Sequence, residues 1–194
     1  MLSKFILKKA NVQGKATAQQ REQVGRMTSY VGIILNISLS LMKMISGIVF
    51  HSVSILADGV NNLSDAGNSL ILLISFKLSS KEADAEHPFG HERIEYLASC
   101  IVALSILLLG VELFRSSLDK ILHPSDIDFS VLLVVVLCAS IVGKLLLYQF
   151  YKNCAKGIES TVLEASAQDS INDVYSTTAV LAATLLYRFF NLNL

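Results

Sequence analysis

The sequence predicts an all-α membrane protein, a bundle of transmembrane helices, and three observations lead there. Of its 194 residues, 53% are hydrophobic and only 16% charged, with a mean hydropathy of +0.55, whereas soluble domains carry about 25% charged residues. The apolar residues fall in long blocks, and a helix crossing a bilayer needs about 20 of them in succession. The separators between blocks are short, which makes sequential helices neighbours in one bundle.

Five blocks are expected to span. The first, residues 28–50, follows a basic tail, residues 1–26, whose apolar piece Phe5-Ile6-Leu7 is broken by Lys8 and Lys9. That piece is too short for the core of a cleavable signal, so the first span itself must direct insertion. His51-Ser52 leads into the second span, 53–78, and the loop Lys81 to His91 precedes the third, 94–118. His123-Pro124-Ser125-Asp126 precedes the fourth, 129–152, and Lys152 to Gly157 precedes the fifth, 160–188. Residues 27–194 therefore form one transmembrane domain, with no internal repeat.

Basic residues near helix ends set the orientation. Lys4, Lys8, Lys9, Lys15, Arg21, Arg26, Lys77, Lys81, Arg93, Lys152 and Lys156 fall on one side, against Arg115, Lys120 and Arg188 on the other. The expectation is a multi-pass protein with a cytoplasmic N-terminus, its tail on lipid headgroups, placed in a bacterial plasma membrane.

The 16 basic residues balance 16 acidic ones, so the chain as a whole offers nothing to a nucleic acid. No nucleophile elbow or phosphate-binding glycine loop is present, and no enzyme is expected. Cys100, Cys138 and Cys154 lack metal or redox spacing and read as small core residues. Lys43 and Lys144, inside spans, read as snorkelling or pairing with an acid. Glu112 and Arg115, three apart, could pair with each other.

Two spans have the wrong composition for inert anchors. The second contains Asp58, Asn61, Asn62 and Asp65; the fifth contains Glu164, Gln168, Asp169, Asn172 and Asp173. A carboxylate at mid-membrane costs about 2.5–3.5 kcal/mol on insertion scales, so Asp65, Asp169 and Asp173 need a compensating interaction. A helix turns about 100° per residue, which stacks Asn61 on Asp65 and Asp169 on Asp173. Facing each other, the two pairs would put four oxygen-bearing side chains around one point. Gly59, Ala66, Gly67, Ser166, Ala167 and Ser170 are small enough to let the two backbones approach. The simpler alternative is interhelical hydrogen bonding or a wet cavity. Clustered acids repel one another unless protonated or bridged by a cation, which favours a cation or proton site.

The run Ser54-Ile55-Leu56-Ala57-Asp58-Gly59-Val60-Asn61-Asn62-Leu63-Ser64-Asp65, followed by His87-Pro88-Phe89-Gly90-His91-Glu92-Arg93-Ile94-Glu95, resembles the cation diffusion facilitator family. The likeness extends from about residue 28 onward. It implies a secondary transporter whose paired motifs on the second and fifth helices hold the transported ion, here Asn61 and Asp65 with Asp169 and Asp173. Zinc-selective members place histidine at one or both variable positions, which here are Asn61 and Asp169. The Asn-x-x-x-Asp and Asp-x-x-x-Asp pair is similar to the manganese-exporting branch, and oxygen donors suit harder ions than zinc. Mn²⁺ is the first expectation, with iron, zinc, cobalt or cadmium as alternatives; the metal is cargo, and no cofactor is expected.

An empty site of clustered carboxylates favours taking up protons, so efflux of metal against entry of protons is expected. Asn61 tunes geometry without carrying a proton. Asp58, seven residues before Asp65, lies about 20° from its face by helical pitch, as an outer-path ligand or a hydrated lip residue. In the loop, Asp84, His87 and His91 match positions that hold a secondary cation site in the family. Alternatively His91 merely begins the third helix, with Glu92 and Glu95 favouring its positive end. The family also has a sixth span and a soluble cytoplasmic domain, and full-length members are expected to form homodimers. This chain is therefore expected to be the transmembrane portion stopping after the fifth helix, either a transporter core or a non-transporting membrane fragment.

Overall fold

Five long helices carry the five apolar blocks, and a short one precedes them. The computed structural model describes residues 2–12, 14–49, 53–84, 87–122 and 131–190. The helices are α1 (Leu2–Lys9), α2 (Ala18–Val49), α3 (Val53–Ser79), α4 (Ile94–Leu122), α5 (Val131–Ile158) and α6 (Thr161–Phe190). The described residues contain no strand. The expected separators 51–52 and 123–126 and the start of the fourth span at 129 lie outside the described residues.

Among the described residues, three stretches are long and apolar enough to cross a bilayer by length and composition: α2, Ile94–Glu112 of α4, and α5. α3 and α6, at 27 and 30 residues, are just as long but carry the acids and amides. Outward-facing Ile34, Ile45, Leu104, Leu107, Leu108 and Leu146 are all exposed, which is the lipid-facing coat of an integral membrane protein rather than a defect of packing.

The N-terminal region is helical over most of its described length. α2 starts ten residues before its apolar block, because Thr17 and Gln20 form a capping box. Gln20 N–H donates to Thr17 Oγ1 (3.3 Å) and Thr17 N–H donates to Gln20 Oε1 (3.0 Å). Good helix formers from Ala18 to Gln23 then extend the first turn. α1 also packs on the bundle. Its Ile6 and the following Ala10 are each 4% exposed and join the core, and Leu7 fills the space above Gly157 of α5.

α2 and α3 pack as one hairpin and α5 and α6 as another; α4 lies against α6 and α3, and α2 against α5. The turn from α5 to α6 is sharp because Glu159 takes a left-handed backbone (φ 50) and Ser160 Oγ accepts from Leu163 N–H (3.4 Å), capping α6. The core of Val24, Leu72, Phe76, Val102, Leu147, Tyr151, Ile158, Val162 and Leu163 joins all five long helices.

Two expectations about small residues are corrected. Cys154 is buried, but Cys100 and Cys138 are exposed, since they fall on the lipid-facing sides of α4 and α5. Gly59 serves contact with α2, where Met44 and Ser40 press on it, and Gly67 faces open space. Neither lets α3 approach α6, and those two helices touch only lightly. A close approach lies elsewhere: Gly32 of α2 sits directly against the Tyr151 hydroxyl of α5 and Ser69 of α3.

Candidate functional site

Where α3, α5 and α6 converge, an ammonium stands between two carboxylates. Lys144 Nζ of α5 donates to Asp65 Oδ2 of α3 at 2.5 Å. The same nitrogen lies 2.6 Å from Asp173 Oδ2 of α6, a second ion pair. Side-chain exposures of 2% for Lys144, 1% for Asp65 and 13% for Asp173 put this triad inside the bundle. Asp169, one turn before Asp173, is buried at 6% exposure, and its Oδ2 accepts from Asn68 Nδ2 of α3 at 3.4 Å. Asp65 Oδ1 is buried with no hydrogen-bond partner among the described residues.

Three of the four residues expected to meet are thus tied across α3 and α6 by polar contacts. Asn61 is half-buried and has no side-chain hydrogen bond to the other three among the described residues. Asp58 stands apart: its Oδ2 pairs with Lys43 Nζ of α2 at 2.8 Å, with Lys43 1% and Asp58 29% exposed. Both intramembrane lysines therefore pair with acids, and Lys144 does so with two of the candidate ligands themselves.

Sequence patterns left several of these partners unnamed. Asn68 lies one turn beyond the motif on α3, and Ser69 Oγ both donates to the Asp65 carbonyl (3.0 Å) and meets Tyr151 Oη (3.1 Å). Ser140, Lys144, Leu147 and Tyr151 are all buried and fall at helical spacing. That stripe in the apolar part of α5 was the available signal for which side of the helix looks inward.

A second cluster occupies the loop between α3 and α4. Asp84 Oδ1 accepts from His87 N–H at 2.6 Å and sits 3.2 Å from His87 Nδ1; Asp84 Oδ2 lies 3.6 Å from His91 Nε2. One donor atom from each residue falls within 4.8 Å of the others, and the two rings are 4.6 Å apart. His91 Nδ1 lies 3.2 Å from the Glu82 carbonyl. A carbonyl can only accept, so that bond places a hydrogen on Nδ1 of His91. The His87 N–H on Asp84, and then the His87 ring, hold the Asp84 carboxyl below its usual 3.8. Gly90, with φ 75, makes the left-handed turn that returns the chain for His91. α4 begins at Ile94, so His91 belongs to the loop and not to the helix.

At the same end, Arg21 of α2 gathers two other elements. Its Nη2 bonds Glu95 Oε2 of α4 at 2.6 Å, its Nη1 donates to the Ile158 carbonyl at the end of α5, and Ser160 donates to Glu95 Oε1 at 2.5 Å.

The profile of the cation efflux transmembrane domain matches residues 29–194. An uncharacterised transporter of Methanocaldococcus jannaschii is 35% identical over 159 residues, 82% of this chain and 56% of that protein. The manganese efflux system proteins MneS and MneP of Bacillus subtilis are each 29% identical, over 85% and 87% of this chain and 57% of each relative. The chain thus spans a little over half the length of these relatives.

Proposed function

The chain belongs to the cation efflux family, and from that premise we propose that it carries a divalent metal ion, Mn²⁺ first, out of the cytoplasm in exchange for protons. The observation that supports this most is the gathering of Asp65 and Asp173 on one ammonium inside the bundle, with Asp169 tied to α3 beside them. Three carboxylates drawn from two separate helices are costly in hydrocarbon and offer hard oxygen donors once a divalent ion reaches them. Asn61, one turn before Asp65 on α3, supplies the fourth oxygen.

Absence of imidazole and thiolate among these four favours Mn²⁺ over zinc, as do the relatives named for manganese efflux. The excess of basic residues on the tail and on the α3–α4 loop puts those segments in the cytoplasm. Asp84, His87 and His91 then form a secondary cytoplasmic cation site, its two imidazoles better suited to softer ions than the site in the membrane.

Purified chain in liposomes with an internal pH-sensitive dye tests the proposal. Added Mn²⁺ should drive proton movement, and Asp65→Ala or Asp173→Ala should abolish both that signal and Mn²⁺ binding. Binding without any metal-dependent proton movement would leave the chain a non-transporting membrane fragment and defeat the exchange mechanism.

A further inference from the structure

We propose that Lys144 is the resident cation of the transport site, a tethered competitor that the metal must displace in order to bind. This rests on the function proposed above and adds a determinant of metal affinity. Its basis is a geometric conflict. The ammonium lies 2.5 Å from Asp65 Oδ2 and 2.6 Å from Asp173 Oδ2, and so occupies the position from which one ion would touch both carboxylates. Metal–oxygen bonds of hard divalent ions are about 2.0–2.6 Å long, so an ion bound to both oxygens would overlap Nζ. The two cations exclude each other by space as well as by charge.

Lys144 also answers the question of how two acids survive in the bundle without metal. Unpaired, each would be a buried charge with no counter-ion; paired to one lysine, they stay folded and poised. The tether matters. An ammonium on a four-carbon stem can swing away and return, whereas its local concentration at the carboxylates never falls to zero. The lysine would thereby set metal affinity low enough for release, as a transport site requires. A lysine that only braced the helices would lower metal affinity when removed, because the ligands would lose their alignment.

Mn²⁺ binding to purified chain in nanodiscs, measured for the native protein, Lys144→Gln and each with Asp65→Ala added, separates the possibilities. The expected result is Asp65-dependent binding in which Lys144→Gln raises Mn²⁺ affinity by about tenfold or more, from loss of a neighbouring like charge. Asp65-dependent binding that is unchanged or weaker in folded Lys144→Gln overturns the role of Lys144 and leaves the transport site standing. No Asp65-dependent binding in either protein overturns the site and the competitor together. Should Lys144→Gln fail to fold, amine labelling of the native protein read by mass spectrometry gives the same decision. Saturating Mn²⁺ should expose Lys144 to labelling several-fold while leaving Lys43, paired with Asp58, unchanged, and equal labelling of Lys144 with and without Mn²⁺ overturns the proposal.

Discussion

Gly32→Ala examines the contact on which α2 and α5 meet. A methyl group there would overlap the Tyr151 hydroxyl and lie 2.8 Å from Ser69 Oγ and 3.0 Å from Tyr151 Cζ. Tyr151 is 2% exposed and shares a 3.1 Å hydrogen bond with Ser69, so the ring has no empty volume to enter. Overpacking a core costs about 1–3 kcal/mol and losing the buried hydrogen bond about 1 kcal/mol, giving about 3 kcal/mol for Gly32→Ala. Tyr151→Phe alone should cost about 1 kcal/mol, since Ser69 keeps its bond to the Asp65 carbonyl. With the hydroxyl gone, Ser69 Oγ and the nearest ring carbon each need to give by only a few tenths of an ångström. Gly32→Ala should then add about 1 kcal/mol, so the double variant costs about 2 kcal/mol where the single changes sum to about 4. Thermal unfolding can be followed by a thiol-reactive dye on Cys154, which is 0% exposed, after replacing the exposed Cys100 and Cys138 with alanine. A double variant as unstable as the sum of the singles would refute this account of the contact.

Asn61→His or Asp169→His should raise zinc affinity relative to Mn²⁺, because each adds an imidazole to an all-oxygen set; an unchanged ratio by competition binding would show that neither side chain reaches the ion. Arg21→Ala should destabilise by about 2 kcal/mol, since it leaves Glu95, with 7% side-chain exposure, without its cation, and a melting temperature equal to that of the native protein would count against it. In the loop, the lowered Asp84 pKa means that its charged form is the one the fold favours. The linked stability is complete above the ordinary carboxylate range and disappears as pH falls through the lowered value. The Asp84 side-chain carboxyl resonance should therefore titrate only below the ordinary carboxylate pKa of about 4, and a midpoint at or above that value would contradict the pairing.

The parts of the fold that depend on bulk hydrophobicity were legible in the sequence, as were the two helices that violate it. A run such as Ala57 to Gly67 is too polar for lipid, and its acids announce an internal partner without saying which. That partner, Lys144, is one charged residue inside a largely apolar span, so its direction depends on how α5 is rotated, a tertiary fact. Asn68 is silent in the sequence for the same reason, lying one turn outside the i, i+4 pair on α3. α2 begins ahead of its apolar block because Thr17 to Arg26 is helical through capping and propensity, which apolarity does not register. The expected α3–α6 packing on small residues failed because a glycine opens a close approach without dictating which neighbour takes it. Gly59 gave it to α2.

Stiffness is distributed unevenly in this bundle. Within the α2–α3 and α5–α6 hairpins, and at Gly32 against Tyr151, helices are held by contact of atoms that cannot interpenetrate. Between α3 and α6 the restraint is chiefly electrical, through Lys144 and Asn68. A joint made of charges has a compliance that depends on what lies inside it, whereas a joint made of packed side chains does not. Exchanging one cation for another at that point would change how easily the hairpins part while leaving the fulcrum beside Tyr151 as rigid as before.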